Sequence, residues 1–333
     1  WAPVVIFGFC AVSIIPLAGL MGRATEYLGE RLGEGPGGLL NATFGNACEL
    51  IIALAALRAN LPEVVKASIT GSIVGNVLLV LGLAIFCGGV RHQTQTFNKT
   101  AATTLATLCG LGAISLIVPA VFAAPTDAVH VGRQAKIALT IAIVLFFTYF
   151  ASLWFSLKTH RHLFTRAAEA DSAAEEALDA KHWSVRRSLI VLLVSTGLVA
   201  LLSEELVHAV ESAAHTLGMT KLFVGVVLVA IIGNAAEHST AVLMAMKNRM
   251  DLAIQIALGS GAQIALFVAP LLVFASWILG QPMNLNFTLG EVAAVGLSVI
   301  VLPLVVLDGE SNWLEGLQLL AVYVILSIGF FFI

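Results

Sequence analysis

Apolar runs long enough to cross a bilayer follow one another along almost the whole of this chain, and that pattern leaves few folds open. Inside lipid every backbone N–H and C=O must be satisfied within the protein, so only helices or a closed barrel can span. A barrel would read as alternating segments of about ten residues. These runs are continuous instead, and a helical span needs about 20 mostly apolar residues. Breaking them at charged or Gly/Pro-rich points gives ten candidate helices, at 3–21, 38–57, 64–88, 99–123, 134–157, 188–209, 221–246, 252–279, 286–307 and 313–332. Composition agrees, with 11% of residues charged against roughly 25% in a soluble domain. The expected fold class is all-α integral membrane, with the lipid bilayer as its main solvent.

Loop charges orient such a bundle, because Lys and Arg concentrate on the cytoplasmic side. The loops after the first, third, fifth, seventh and ninth spans share one face. That face carries Arg23, Arg31, Arg91, Lys99, Lys158, Arg161, Arg166, Lys181, Arg186, Arg187, Lys247 and Arg249, which is 12 of the 17 basic residues. The other face has Arg58, Lys66, Arg133, Lys136 and Lys221. The first face is therefore expected in the cytoplasm and both ends of the chain outside it. No basic region precedes the first apolar run, so a span is expected there rather than a cleaved leader. A further helix upstream of Trp1 would return the N-terminus to the cytoplasm. With a net charge of −3, no overall field draws nucleic acid. Cys10, Cys48, Cys87 and Cys109 lie in or beside apolar runs without metal-type spacing, and read as small core residues.

The longest polar stretch, 158–187, divides the chain into a first set of five spans, 1–157, and a second, 188–333. It starts basic and turns acidic at Glu169, Asp171, Glu175, Glu176 and Asp179, which reads as a solvated acidic cytoplasmic helix. A plain linker is one reading. A segment that raises local cation concentration is the other.

One short polar motif occurs twice inside the apolar sequence: Gly45-Asn46-Ala47-Cys48-Glu49 and Gly233-Asn234-Ala235-Ala236-Glu237. Position subtraction gives 234 − 46 = 188 and 237 − 49 = 188. The same shift carries Gly71-Ser72 onto Gly259-Ser260, and Leu78 and Val80 onto Leu266 and Val268, so one register holds over two consecutive spans in each half. Five is an odd number, so the second set enters the membrane from the opposite side. Inverted repeats of this kind are common in secondary transporters, with the binding site near the midplane where the repeats meet.

An ionisable residue inside a span costs about 3 kcal/mol or more on insertion scales, which makes it a functional candidate by default. Asn46 with Glu49, and Asn234 with Glu237, are three apart and share a helix face. In the next span Ser72 and Asn76 are four apart, and Ser260 and Gln263 three apart. All eight side chains present oxygen, which suits a hard cation such as Ca²⁺. Only Cys48 and His238 adjoin the carboxylates, each turned about 100° away on an ideal helix, so softer transition-metal chemistry fits poorly. Two facing carboxyl groups out of water favour a shared proton when empty and both ionised forms when a divalent cation sits between them. Cation and protons then compete for one site. Glycines 45, 71, 75, 233, 259 and 261 flank these groups, as close-packing positions or as points of local unwinding.

At these residues the chain resembles the calcium/proton exchangers, the cation/proton exchanger family of the calcium/cation antiporter superfamily. The resemblance rests on the two Gly-Asn-Ala-x-Glu motifs, on Gly71-Ser72 and Gly259-Ser260, and on the flanking Asn41-Ala42-Thr43-Phe44 and Glu237-His238. It implies an inverted five-plus-five repeat, with Glu49 and Glu237 as the shared Ca²⁺ and H⁺ site and Asn46, Asn234, Ser72, Asn76, Ser260 and Gln263 around them. It also implies an acidic segment between the halves, one further N-terminal helix, and first and sixth spans that slide against the rest. Arg23, Glu26, Glu205 and Glu211, near the ends of those spans, become gating candidates. The sodium/calcium branch carries Pro directly before its acidic residue, where this chain has Cys48 and Ala236, so protons are favoured over sodium.

The expected activity is proton-driven Ca²⁺ export by alternating access, with Ca²⁺ and H⁺ as transported substrates and no resident cofactor. The membrane would be the plasma membrane of a prokaryote, or the vacuole or another acidic organelle of a eukaryote. Oligomeric state stays open. Rival readings are sodium-coupled Ca²⁺ or proton-coupled Mn²⁺ exchange, and a passive cation channel, which would conduct without a counter-ion. An enzyme is disfavoured: there is no His-Glu-x-x-His motif, and Leu307-Asp308-Gly309 lacks a paired intramembrane Asp.

Overall fold

The computed structural model describes residues 2–32, 37, 40, 43–122, 128–164 and 183–332. The described helices are α1 (Ala2–Leu32), α2 (Ala47–Arg58), α3 (Pro62–Arg91), α4 (Lys99–Val121), α5 (Ala128–Trp154), α6 (Val185–Leu217), α7 (Lys221–Met246), α8 (Met250–Ile278), α9 (Leu289–Val306) and α10 (Trp313–Phe332). Nine of the described helices are long and apolar enough to cross a membrane. The expected span at 38–57 departs from that pattern: its described part turns at Gly45 and Asn46 before α2 begins at Ala47. The acidic residues Glu169 to Asp179 lie outside the described residues.

Local chemistry sets the helix ends. Asn98, Ser184 and Thr220 each accept a backbone N–H from the first turn of α4, α6 and α7, and Thr288 with Glu291 forms a reciprocal capping box on α9. Gly218 ends α6 in the left-handed region at φ 66°. The short α2–α3 and α7–α8 links turn on Asn60 (φ 58°) and Asn248 (φ 61°), and 248 − 60 = 188. Asn is the non-glycine residue that most readily tolerates this conformation, so these two positions share one backbone conformation.

Helices α1 and α6 lie against each other, α1 also contacts α7, and α6 contacts α2. Helix α3 packs on α10 as α8 packs on α5, and α4 meets α9. Helices α3 and α8 are the most deeply buried spans. Each contains a π-helical stretch, Gly75–Val80 in α3 and Ile264–Val268 in α8. A π turn interrupts the regular i−4 ladder, and such interruptions cluster at functional sites.

On the basic-rich face a two-stranded antiparallel ribbon joins the α3–α4 and α9–α10 links, β1 (Gln95–Thr96) with β2 (Glu310–Ser311). Gln95 donates to the Ala245 carbonyl at 2.8 Å and to Asn248 Oδ1 at 3.1 Å, and Asp251 accepts from the Asn98 N–H at 2.5 Å. These bonds tie the ends of α3, α4, α7, α8, α9 and α10 together and include neither α1 nor α6.

Candidate functional site

Helix α2 begins at Ala47, and its first turn holds Glu49, where the helix dipole favours an acidic side chain. Asn46 sits at the cap position, but its side chain makes no capping bond. It reaches across the chain's midpoint instead, donating from Nδ2 to Gln263 Oε1 at 2.5 Å. The other half answers with a similar bond: Asn76 Nδ2 donates to Asn234 Oδ1 at 3.0 Å. Asn234 Nδ2 then donates to Ser72 Oγ at 3.0 Å and to the Ala230 carbonyl at 2.9 Å. Each motif Asn is thus joined to an amide on the deep helix of the opposite half. The two amide partners are offset, since 263 − 76 = 187; Asn76 lies at the start of a π-helical stretch and Gln263 immediately before one.

The carboxylates complete the cluster. Glu49 lies against Gly233, whose absent Cβ leaves room for it; a Cβ there would come 3.1 Å from Glu49 Cγ. Glu237 is near enough for its charge to act on Glu49, and Ser260 reaches the Glu237 carboxyl group. All eight residues singled out by the sequence are therefore brought to one place. Glu49 is 4% exposed and Asn46, Ser72 and Asn234 are 1% exposed, whereas Glu237 and Gln263 are half-buried.

What this cluster lacks is donors. Nine buried side-chain atoms have no hydrogen-bond partner among the described residues, and five belong here: Asn46 Oδ1, both Glu49 oxygens, Asn76 Oδ1 and Glu237 Oε2. All five are acceptor oxygens. Buried acceptors without donors are costly, and a hard cation or protons would satisfy them together. No group of three or more His, Cys, Asp or Glu that could hold a metal is found among the described residues, so the carboxylates are two and the remaining oxygens neutral.

A matching family model covers residues 2–158 and 187–332, that of the sodium/calcium exchanger proteins. The chain belongs to this family. It is 45% identical over 341 residues to the Ca²⁺/H⁺ antiporter of Aphanothece halophytica, covering 100% of this chain and 91% of that protein. With the Ca²⁺/H⁺ antiporter ChaA of Bacillus subtilis it shares 46% identity, over 99% of this chain and 93% of the other. The structure of native YfkE superposes with a TM-score of 0.85 at 42% identity, covering 100% of this chain and 93% of that one. This exchanger is an integral membrane protein.

Two expectations are corrected in part. The sequence placed Asn46 and Glu49 on one helix face, but Asn46 precedes the helix, and only Asn234 and Glu237 share a continuous one. Unwinding at the motif glycines occurs at Gly45, whereas Gly233 lies inside the regular α-helical part of α7, Ala230–Met246. Of the gating candidates, Glu211 pairs with Lys221 between the end of α6 and the start of α7. A second pair went unnoticed in the sequence, Arg58 of α2 with Glu204 of α6 at 3.4 Å, because residues 146 positions apart carry no spacing signal. Gly233→Ala will press its methyl group onto Glu49 and weaken apparent Ca²⁺ affinity several-fold with the fold retained, which a Ca²⁺ titration of the purified protein would measure.

Proposed function

We propose that this exchanger moves Ca²⁺ out of the cytosol in return for protons, by alternating access in two inverted five-helix repeats. Glu49 and Glu237 hold the cation or protons in turn. Asn46, Asn76 and Asn234 supply or position neutral oxygens, and Ser72, Ser260 and Gln263 fix their orientation. The observation that carries this reading is the set of five donor-less buried oxygens drawn from both halves of the chain. The activity named for the relatives at 45% and 46% identity supports Ca²⁺ and H⁺ as the exchanged pair.

Alternation needs two bodies. The α1–α6 pair stands outside the ribbon that ties the ends of α3, α4, α7, α8, α9 and α10, and each of its members rests on the motif helix of the opposite half. Sliding of that pair changes which face reaches Glu49 and Glu237. The Arg58–Glu204 pair links α2 to α6 on the face away from the ribbon. Exposed pairs contribute little to stability, yet a small bias suffices for a gate. Charge reversal by Arg58→Glu should change exchange rate a few-fold, and the double variant with Glu204→Arg should restore it. Equal rates in single and double variants would remove the pair from the mechanism.

The function is tested by Ca²⁺ uptake into proteoliposomes under an imposed pH gradient, with voltage clamped and no sodium. Uptake that follows the gradient is the expected result. Uptake that needs sodium, or that ignores the gradient, would overturn proton coupling.

A further inference from the structure

A cavity of about 330 Å³ opens between α4, α5 and α8, separate from the one between α2, α6 and α8 that Arg58 and Glu204 line. Its walls include Leu105, Leu108, Leu153, Phe155, Phe164 and Leu266, and Gly259 and Gln263 of α8 also line it. Hydroxyls also line it, but they are already engaged: Thr104 with the Thr100 carbonyl, Thr148 with Val144, Ser152 with Tyr149 and Ser156 with Leu153. The wall therefore offers hydrocarbon and few free polar atoms, which suits an acyl chain and not a hydrated ion. Exposed Ala151 lies on its rim, on a helix whose outer face carries Phe147 (71% exposed) and Trp154 (65% exposed). The opening is thus toward lipid, with Trp154 at the level where aromatic residues mark the bilayer interface.

Just beyond this mouth the surface becomes basic. Lys158 lies two residues and His160 four residues beyond Ser156, and the His160 ring stacks on Phe155 with centroids 4.1 Å apart. Asn98 Nδ2 donates to the Leu163 carbonyl at 3.3 Å, which brings Lys99, at the start of α4, to the same end. Lys99 and Lys158 are exposed. An apolar slot at membrane depth under a cationic rim is complementary to one molecule with both features, and basic pockets between spans on this face bind anionic headgroups. We infer that the cavity between α4, α5 and α8 is a binding site for an anionic phospholipid of the cytoplasmic leaflet, with its acyl chain in the slot and its headgroup on Lys99 and Lys158. The acyl chain then shares the cavity with Gln263, the residue that accepts the bond from Asn46.

The inference stands whatever ion the exchanger carries, and its test does not use transport. Purified protein is delipidated, mixed with equal phosphatidylglycerol and phosphatidylcholine, and measured by native mass spectrometry. The wild type should retain one phosphatidylglycerol in preference. Lys99→Gln and Lys158→Gln should each reduce that retention about fivefold, and Leu108→Trp should abolish it by filling the slot while leaving the basic rim in place. Thermal melts of each variant establish that the fold is kept. Equal retention of the two lipids, or retention unchanged in all three variants, would overturn the assignment.

Discussion

Glu49→Gln and Glu237→Gln will each stop Ca²⁺/H⁺ exchange in proteoliposomes, with uptake reduced about a hundredfold or more, since charge count among the ligands sets Ca²⁺ affinity over several orders of magnitude. Glutamine keeps the shape of the side chain and one oxygen. It removes the charge, and its NH₂ group would donate to one of the neighbouring orphan acceptors, such as Asn46 Oδ1 or Asn76 Oδ1, taking from the cation an oxygen it needs. The fold should tolerate the exchange. A buried charge without a counter-charge is costly, and neither Glu49 oxygen has a donor, so the Glu49→Gln melting temperature should equal or exceed that of the wild type. Loss of transport with stability kept separates a site residue from a structural one. Proton competition gives a second reading: acidifying the loading side protonates carboxylates that would otherwise be ligands, so apparent Ca²⁺ affinity falls as pH falls there. Residual binding in either variant should show a shallower pH dependence. Near-normal uptake in either variant would move the site elsewhere.

How much of this site could be read from the chain follows from what kind of signal each residue leaves. The carboxylates and motif asparagines stand out because a polar group inside a long apolar run has few structural reasons to be there. The shared register of 188 paired the motifs, and Asn60 and Asn248, also 188 apart, share a left-handed backbone conformation. The spacing difference between Ser72–Asn76 and Ser260–Gln263 also had a physical basis, since those amides cross to the opposite halves from offset positions beside π-helical stretches. The partnership itself was not legible, because Asn46 with Gln263 is a contact over 217 positions. Arg58–Glu204 and the ribbon under Gln95 were hidden for the same reason. The turn at Gly45 and Asn46 in one motif, against a continuous helix in the other, was hidden for a different reason: nearly identical sequences were given different backbones by their surroundings.

That asymmetry yields the second large expected effect, Gly71→Ala. Gly71-Ser72 and Gly259-Ser260 are the same motif in the same register, and sequence alone predicts the same outcome for both glycines. In the structure α3 and α7 cross so closely at Gly71 that a Cβ would lie 2.0 Å from the Val226 carbonyl oxygen and 2.6 Å from Val226 Cα. Gly225 faces Ala67 across the same crossing, its own Cβ position 2.5 Å from the alanine methyl. These contacts on Val226 are backbone and cannot rotate aside, so a methyl group at Gly71 must push the helices apart. Overpacking of this kind costs about 1–3 kcal/mol or more, and small residues at such crossings are what allow membrane helices to associate closely. The displacement also falls one residue from Ser72, which accepts the Asn234 bond, so the amide network that links the halves is pulled out of register. Gly71→Ala should therefore lower the melting temperature in detergent by several degrees and eliminate exchange. At Gly259 nothing lies within 4 Å of the position a methyl group would take, and Gly259→Ala should melt as the wild type does. Equal behaviour of the two variants would mean that the α3–α7 crossing is looser than the contact distances require, and that the site is held by its hydrogen bonds alone.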